Sequence, residues 1–209
     1  MALVKLNNRG VRSATTFGSI TGLGSMVFIK KLTASGSATL SFVDGTSDVV
    51  LDNTYKEYLF TYNNIHPATD NTHFSFQGNV AGGSGFDETI TSTFFNAVHK
   101  EDDAAASLQY QAGNDQAQGT GFQILNMELG NDNDQSCSGY LQLFNPSDTT
   151  FVTHFIGRGS IAQSENRHYD NFVAGYFNLT GAIDEIQFKM STGNIDSGQI
   201  SLFGITWLT

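Results

Sequence analysis

Cysteine is nearly absent from this sequence of 209 residues. The single cysteine, Cys137, has no partner within the chain, so no internal disulfide can form. Stability must therefore come from packing of the chain or from contacts between copies. Nothing in the sequence around Cys137 indicates an activated thiol, and we predict a small, buried apolar residue at this position.

Long hydrophobic runs are also absent. Nowhere do about 18 apolar residues follow one another, as a membrane-spanning helix requires, so membrane insertion is not expected. The first residues, from Met1 to Arg9, lack the apolar stretch and the cleavage site of a secretory signal. We therefore expect synthesis in the cytosol.

Charged residues are scarce. They make up 14% of the sequence, whereas apolar residues make up 39% and 17 residues are phenylalanine. Soluble domains have about 25% charged residues, so the surface here must consist mainly of Ser, Thr, Asn, Gln and Gly. Neutral polar surfaces of this kind are common in secreted, adhesive and particle-forming β proteins.

The few charges are unevenly distributed along the chain. Five basic residues and no acid lie in the first 31 residues, and all 20 acids lie beyond them. The acidic body repels nucleic acid, so genome binding is not expected. The basic segment either docks on an acidic partner surface or forms a first strand on the acidic body. The candidate partner-docking residues are Lys5, Arg9, Arg12, Lys30 and Lys31.

Short runs of alternating residues predict the fold class. Within one such run, Thr153 and Phe155 would share one face, with His154 and Ile156 on the other. About eleven runs, separated by turn-forming clusters, predict antiparallel strands. Only residues 101–110 have the alanine-rich composition of a helix, and the segment is short enough to form one or two turns or none. We expect an all-β, antiparallel two-sheet β-sandwich of jelly-roll type, because the strands must bury their apolar faces against a second sheet.

The predicted organisation is a short basic N-terminal arm, residues 1–22, followed by a single β-sandwich domain, residues 23–209. The run from Gln199 to Trp207 carries large apolar groups on both faces, which predicts a central strand covered on both sides. A turn at Asp196-Ser197-Gly198 would place this strand beside residues 183–190.

Motifs for catalysis or metal binding are incomplete. Gly83-Ser84-Gly85 is similar to part of a nucleophile elbow, but Phe86 replaces the second glycine of that motif. The five histidines show no metal-ligand spacing. Residues 132–136 begin like a calcium loop, but Cys137 and Leu143 replace its turn glycine and closing glutamate. An alternative is a Ca²⁺ site that distant loops complete. We expect a non-enzymatic protein with no catalytic residues, no metal site and no cofactor.

Aromatic side chains have two interpretations. They could stack on sugar rings, because a sandwich with Asn- and Asp-rich loops is a familiar lectin scaffold. Packing within the sheets or at an interface is the interpretation that we favour. The candidates are Tyr55, Tyr58, Tyr62, Tyr110, Tyr140, Tyr169 and Trp207.

Five segments carry a resemblance to known proteins. They are Leu59–Asp70, Ser138–Pro146, Phe172–Phe177, Ala182–Ser191 and Gly193–Ile205. Their strand and turn pattern resembles that of small structural proteins encoded by marine bacteriophages, and the similarity runs from about Gly24 to the C-terminus. The shorter stretch Ile183-Asp184-Glu185-Ile186 is similar to a strand of laminin-G-like and concanavalin-like sandwiches.

The resemblance implies a virion component, synthesised in the host cytoplasm. We expect an accessory surface protein, such as a capsid decoration or cement protein docked by its arm on other virion proteins. The alternative is a tail or head fibre component whose lectin-like sandwich binds a host glycan. We also expect a homo-oligomer, most simply a trimer, because exposed edge strands gain stability when another copy covers them.

Overall fold

Residues 26–206, which the computed structural model describes, form an all-β protein. This part of the chain contains no helix, and hence no helix that could cross a membrane. Its thirteen strands are β1 (Met26–Ser37), β2 (Thr39–Val43), β3 (Glu57–Pro67), β4 (Thr72–Val80), β5 (Ile90–Lys100), β6 (Ala106–Tyr110), β7 (Ala117–Gly119), β8 (Gln123–Leu129), β9 (Cys137–Phe144), β10 (Thr153–Gln163), β11 (Arg167–Phe177), β12 (Ile183–Met190) and β13 (Ile195–Ile205).

The strands form one antiparallel sheet that is nearly closed, like a barrel. The main path runs β1-β13-β3-β9-β10-β8-β4-β12-β2. Strand β11 pairs with β10 and β5, and the far edge of β5 pairs with β6 and β7. Between β8 and β10 a single pair, Gln163 with Leu129, joins the two halves of the path. The predicted antiparallel all-β class is therefore confirmed.

Strand β10 illustrates why these sequences form strands. Every second residue from Thr153 to Gln163 is buried and every residue between them is exposed. Thr153 and Phe155 face inward, whereas His154 and Ile156 face solvent, as the alternation predicts. Because successive side chains of a strand point to opposite faces, one sequence builds both an apolar inner face and a polar outer face.

Phenylalanines from distant parts of the path form the centre of the core. Phe42, Phe60, Phe74, Phe76 and Phe188, from β2, β3, β4 and β12, are all fully buried. The rings of Phe74 and Phe188 stack with centroids 5.7 Å apart, and Phe42 packs edge-on against Phe60 at 5.2 Å. Burial of each ring contributes roughly 1.5–3 kcal/mol. Cys137 lies in the same core, as predicted.

The alanine-rich segment at residues 101–110 forms no helix. The Asp102 side chain accepts a hydrogen bond from the Ala104 amide, and the Lys100 amide donates to the Ala105 carbonyl, which turns the chain back as strand β6. Alanine favours a helix by only a few tenths of a kcal/mol over most residues. Pairing with the open edge of β5 outweighs that local preference.

The C-terminal strand is central, as predicted, but its neighbours differ from the expectation. Strand β13 pairs with β1 and β3, whereas β12 pairs with β2 and β4. The turn lies at residues 191–194, and Asp196–Gly198 belong to an irregular part of β13. Gly198 has φ +115°, a backbone conformation that residues other than glycine rarely adopt. Only the inner face is fully covered, because Ile200 and Leu202 are buried and Phe203 is half-exposed.

A buried tyrosine connects strands β3, β8 and β10. The Tyr62 hydroxyl donates to the Arg158 carbonyl at 3.2 Å and accepts from Asn126 Nδ2 at 3.0 Å. Gly139 and Gly159 are cross-strand partners directly above it. A Cβ atom on Gly159 would lie 1.8 Å from Asn126 Oδ1, and one on Gly139 would lie 2.5 Å from the Tyr62 hydroxyl. Only glycine leaves room for this contact.

We expect Gly159→Ala to destabilise the fold by about 1–3 kcal/mol, because the added methyl displaces Asn126 and the Tyr62 hydroxyl. Thermal or urea unfolding measures the change. Ser160→Ala, on the exposed face of the same strand, is the matched control and should change stability by no more than about 0.5 kcal/mol. Equal stability of the two variants would contradict this account of the buried contact.

We also expect deletion of residues 199–209 to give insoluble or unfolded protein, since it removes most of the strand between β1 and β3 together with buried Ile200 and Leu202. Deletion of residues 1–12, which lie outside the described residues, should leave a folded body. Circular dichroism and a thermal melt compare the two. A cooperative melt of the first variant near the temperature of the intact protein would show that β13 is dispensable.

Candidate functional site

A row of cross-strand neighbours crosses the outer face of the sheet, and we call it the aromatic row. It consists of Tyr110 on β6, Phe95 on β5, Phe172 on β11, Arg158 on β10 and Tyr140 on β9. Directly paired residues of antiparallel strands point to the same face. Pairing alone therefore places four aromatic rings and one guanidinium side by side.

The centre of the row is a rigid ridge. The rings of Phe95 and Phe172 stack with centroids 4.8 Å apart and planes inclined by 3°. The guanidinium of Arg158 covers the other side of the Phe172 ring, with Cζ 4.7 Å from its centroid. Such a cation–π contact contributes roughly 0.5–1 kcal/mol at an exposed site. Both faces of Phe172 are thus occupied, and neither is free to stack on a sugar.

Arg158 is held in place by Asp170. Its Nε donates to Asp170 Oδ1 at 2.9 Å and its Nη2 donates to Oδ2 at 2.7 Å. The hydrogen bond to Asp170 and its negative charge raise the pKa of Arg158. This bidentate geometry fixes both groups in one plane, although an exposed ion pair adds little to stability.

A shallow groove, which we call the outer groove, lies between the ridge and Tyr140. Its volume of about 360 Å³ is within the range of ligand pockets, roughly 300–1,000 Å³. On its floor, Ser160 Oγ lies 3.0 Å from His168 Nε2. The side chains that line it are Ser138, Tyr140, Arg158, Ser160, His168 and Asp170.

The Ser160–His168 pair has the spacing of a nucleophile and its base. Catalytic pairs of this kind also have a third group that orients the base. Among residues 26–206, no hydrogen bond to the second ring nitrogen of His168 is formed. What the pair offers a ligand is one hydrogen-bond donor and one acceptor on an open surface.

An apolar patch lies at the β6 end of the aromatic row, and we call it the edge patch. Leu108 is 72% exposed, Tyr110 58% and Phe95 39%. Leu108 pairs with Ala97 of β5, on the same outer face as the other two. Large apolar groups exposed together, rather than singly, mark surfaces that contact another molecule.

The predicted docking residues do not form one patch in the described part of the chain. Lys5, Arg9 and Arg12 lie outside the described residues, so their role stays a prediction. Lys30 is half-buried opposite Leu202, whereas Lys31 is exposed opposite Ser201. Because adjacent residues of a strand face opposite ways, the two lysines lie on opposite faces of β1.

The aromatic candidates differ in their burial. Tyr58, Tyr62 and Tyr169 are buried, and burial raises the pKa of Tyr58 to about 12. The packing interpretation is confirmed for these three. Tyr110 and Tyr140 lie on the outer face instead. Tyr55 is half-buried with its ring centroid 5.7 Å from that of Tyr58, and Trp207 lies outside the described residues.

The loop with calcium-like spacing contributes to a different surface depression. Asp134 lines it together with Asp196 and Asn64, from β13 and β3. Within residues 26–206, no group of three or more His, Cys, Asp or Glu side chains is placed to hold a metal ion.

Sequence reasoning missed the outer groove, although part of its signal was present. Strands β10 and β11 form a hairpin whose first pair is Gln163 with Arg167. Further from the turn, the same register pairs Ser160 with Asp170 and Arg158 with Phe172. Nothing local, however, indicates that β9 and β5 lie on either side of this hairpin.

Comparison with known proteins adds no identification. No family model, no curated protein and no solved structure matches the chain. The function must therefore be inferred from the geometry of the outer face and from the resemblance described above.

Proposed function

We propose that the protein is a non-enzymatic, accessory structural component of a bacteriophage virion, displayed on the particle and docked by its N-terminal arm. The edge patch is the observation that carries the proposal, because exposed apolar groups at a sheet edge serve contact between proteins. The resemblance to phage structural proteins supports the same conclusion. Its five segments correspond to strands β3, β9, β11, β12 and β13.

A two-sheet sandwich of jelly-roll type is the finer architecture that we propose. Two stretches of the strand path support it, β1-β13-β3-β9 and β2-β12-β4-β8. Each strand of the first is joined by a short connection to the strand at the same position of the second, as β1 to β2, β12 to β13, β3 to β4 and β8 to β9. Four bent strand pairs of this kind would fold one half of the path over the other, with the phenylalanine core between them.

Charge supports docking by the arm on another virion protein. The acidic residues are confined to the body, and the basic residues of the arm have no acidic neighbour in sequence. A partner surface with negative charge would attract the arm and repel the body, which fixes the orientation of the subunit on the particle. A capsid decoration protein requires this arrangement.

We expect the triple change of Lys5, Arg9 and Arg12 to Gln to weaken association with the particle and to reduce its salt dependence, because the arm loses three charges. Binding of the purified protein to particles that lack it, measured at several salt concentrations, tests this. The matched control replaces Lys56, Lys100 and Lys189 of the body with Gln. Equal binding of both triple variants and the intact protein would contradict arm docking.

A copy count on purified virions tests the location. Hundreds of copies per particle are expected for a capsid decoration protein, and a few tens or fewer for an appendage. Quantitative mass spectrometry against the major capsid protein supplies the count. Complete absence from purified particles would overturn the virion assignment.

A fibre component that binds a host glycan is the second candidate, and the outer groove favours it. Paired with Asp170, Arg158 keeps about three N–H donors free, and both carboxylate oxygens keep lone pairs. Ser160 and His168 add a further donor and acceptor, and the Tyr140 ring borders the groove. This set suits the hydroxyl groups and apolar face of a neutral sugar, since the acidic body disfavours anionic ones.

We expect a glycan array to report neutral glycans, and Tyr140→Ala and His168→Ala each to weaken binding of the best hit at least tenfold in calorimetry. Tyr176→Ala is the matched control, because Tyr176 lies on the same outer face beyond the groove, against His154. No array signal, or an equal loss in the control, would exclude glycan binding at this groove.

A further inference from the structure

Strand β6 is an open edge of the sheet. It pairs with β5 alone, and all five of its residues are exposed. The Gln111 amide donates to the Phe94 carbonyl, and the Lys100 amide donates to the Ala105 carbonyl, both at 2.9 Å. Residues of an antiparallel strand alternate in the direction of their N–H and C=O groups. The backbone groups of Ser107 and Gln109 therefore face β5.

The remaining residues of β6 direct their backbone groups away from β5. By the same alternation, the N–H and C=O groups of Ala106, Leu108 and Tyr110 point to the open side. No strand among residues 26–206 pairs there. This edge consequently offers three donors and three acceptors in the spacing that another antiparallel strand requires.

Two edge strands of the sheet, β1 and β6, differ in how they are protected. Strand β1 has an irregular register between Phe28 and Lys30, a half-buried lysine at Lys30 and an exposed one at Lys31. Bulges and lysines, above all an inward-facing lysine, are the features that prevent edge strands from pairing with other chains. Strand β6 has regular pairing and contains no charged residue, glycine or proline. Of these two edge strands, β1 has the features that hinder pairing with another chain, and β6 has none of them.

We propose that two copies of this protein associate through β6, pairing edge to edge and antiparallel about a two-fold axis at Leu108. The sheets of the two copies then become continuous. Leu108 lies opposite Leu108 of the second copy, and Tyr110 lies opposite Ala106 of the second copy. The pairing forms about six backbone hydrogen bonds.

The sequence of β6 is complementary to itself in this register. Ala106, Leu108 and Tyr110 all lie on the outer face, since their β5 partners His99, Ala97 and Phe95 do. Each small alanine faces a large tyrosine across the axis, and the two leucines pack together. Leu108 and Tyr110 of the edge patch, exposed in one copy, pack against the same strand of the other, as an isologous interface requires.

Charge next to the edge gives the interface a characteristic salt response. The chain carries a net charge of −10, and the turn before β6 contains Glu101, Asp102 and Asp103. Across the two-fold axis this turn approaches the Tyr110 end of the second copy, where Asp115 bonds to the Tyr110 hydroxyl. Added salt screens the repulsion, so self-association should strengthen as salt rises. Arm docking has the opposite response, and the two proposals can therefore fail independently.

The full-length protein in light scattering and sedimentation at micromolar concentration provides the test. We expect a dimer, and Leu108→Lys should raise the dissociation constant at least tenfold. Ile156→Lys is the matched control, since Ile156 is 44% exposed on the same outer face but belongs to the interior strand β10. A monomer at all salt concentrations, a trimer, or a dimer that survives Leu108→Lys overturns the proposal.

A cross-linking variant tests the register. Leu108→Cys places two thiols across the axis at the Cα separation of a paired strand position, about 5.5 Å, which a disulfide can span. The native Cys137 is buried and does not compete. We expect rapid oxidation of Leu108→Cys to a covalent dimer and none for Ile156→Cys. Equal rates for both variants would mean random collision and overturn the edge pairing.

Discussion

Packing among the phenylalanines of the core is the interaction on which the rest of the structure depends. The chain has no disulfide, and a single residue pair connects β8 to β10. Backbone hydrogen bonds alone would therefore leave the nearly closed sheet weakly joined. Phe42, Phe188 and Phe76 lie on the neighbouring strands β2, β12 and β4, and they meet Phe60 of β3, which belongs to the other half of the path. Their burial supplies the closure that covalent bonds and strand pairing do not.

The arrangement of residues on the outer face of the sheet follows from the packing of its inner face. Each strand that sends a phenylalanine or leucine inward must send its next residue outward, so the packing of the core fixes which residues become neighbours on the surface. Arg158, Phe172 and Phe95 form a ridge because Gly157, Val173 and Phe94 occupy the adjacent inward positions. A one-residue slip in β10 would turn Arg158 inward and destroy both the core and the ridge.

Two different kinds of contact can be separated on this surface. The polar groove between Tyr140 and Asp170 is suited to a small ligand rich in hydroxyl groups. The edge patch and the open backbone of β6 are suited to a protein strand. They lie at different positions along the aromatic row, with Phe172 between them. One subunit could therefore use both surfaces at once.

What the sequence determined by itself was local. Alternation located eleven of the thirteen described strands and gave the inward and outward residues of β10, because side-chain direction in a strand depends only on position along it. The absence of residues that would activate its thiol predicted the buried Cys137. The tertiary structure decided which strands become neighbours, a choice that alternation along the chain does not specify. It made residues 106–110 a strand by offering them the edge of β5, and it placed β13 between β1 and β3 rather than beside β12. It also assembled the outer groove from β9, β10 and β11. Which strands become neighbours depends on how apolar faces from distant parts of the chain fit together, and that long-range fit has no local signature in the sequence.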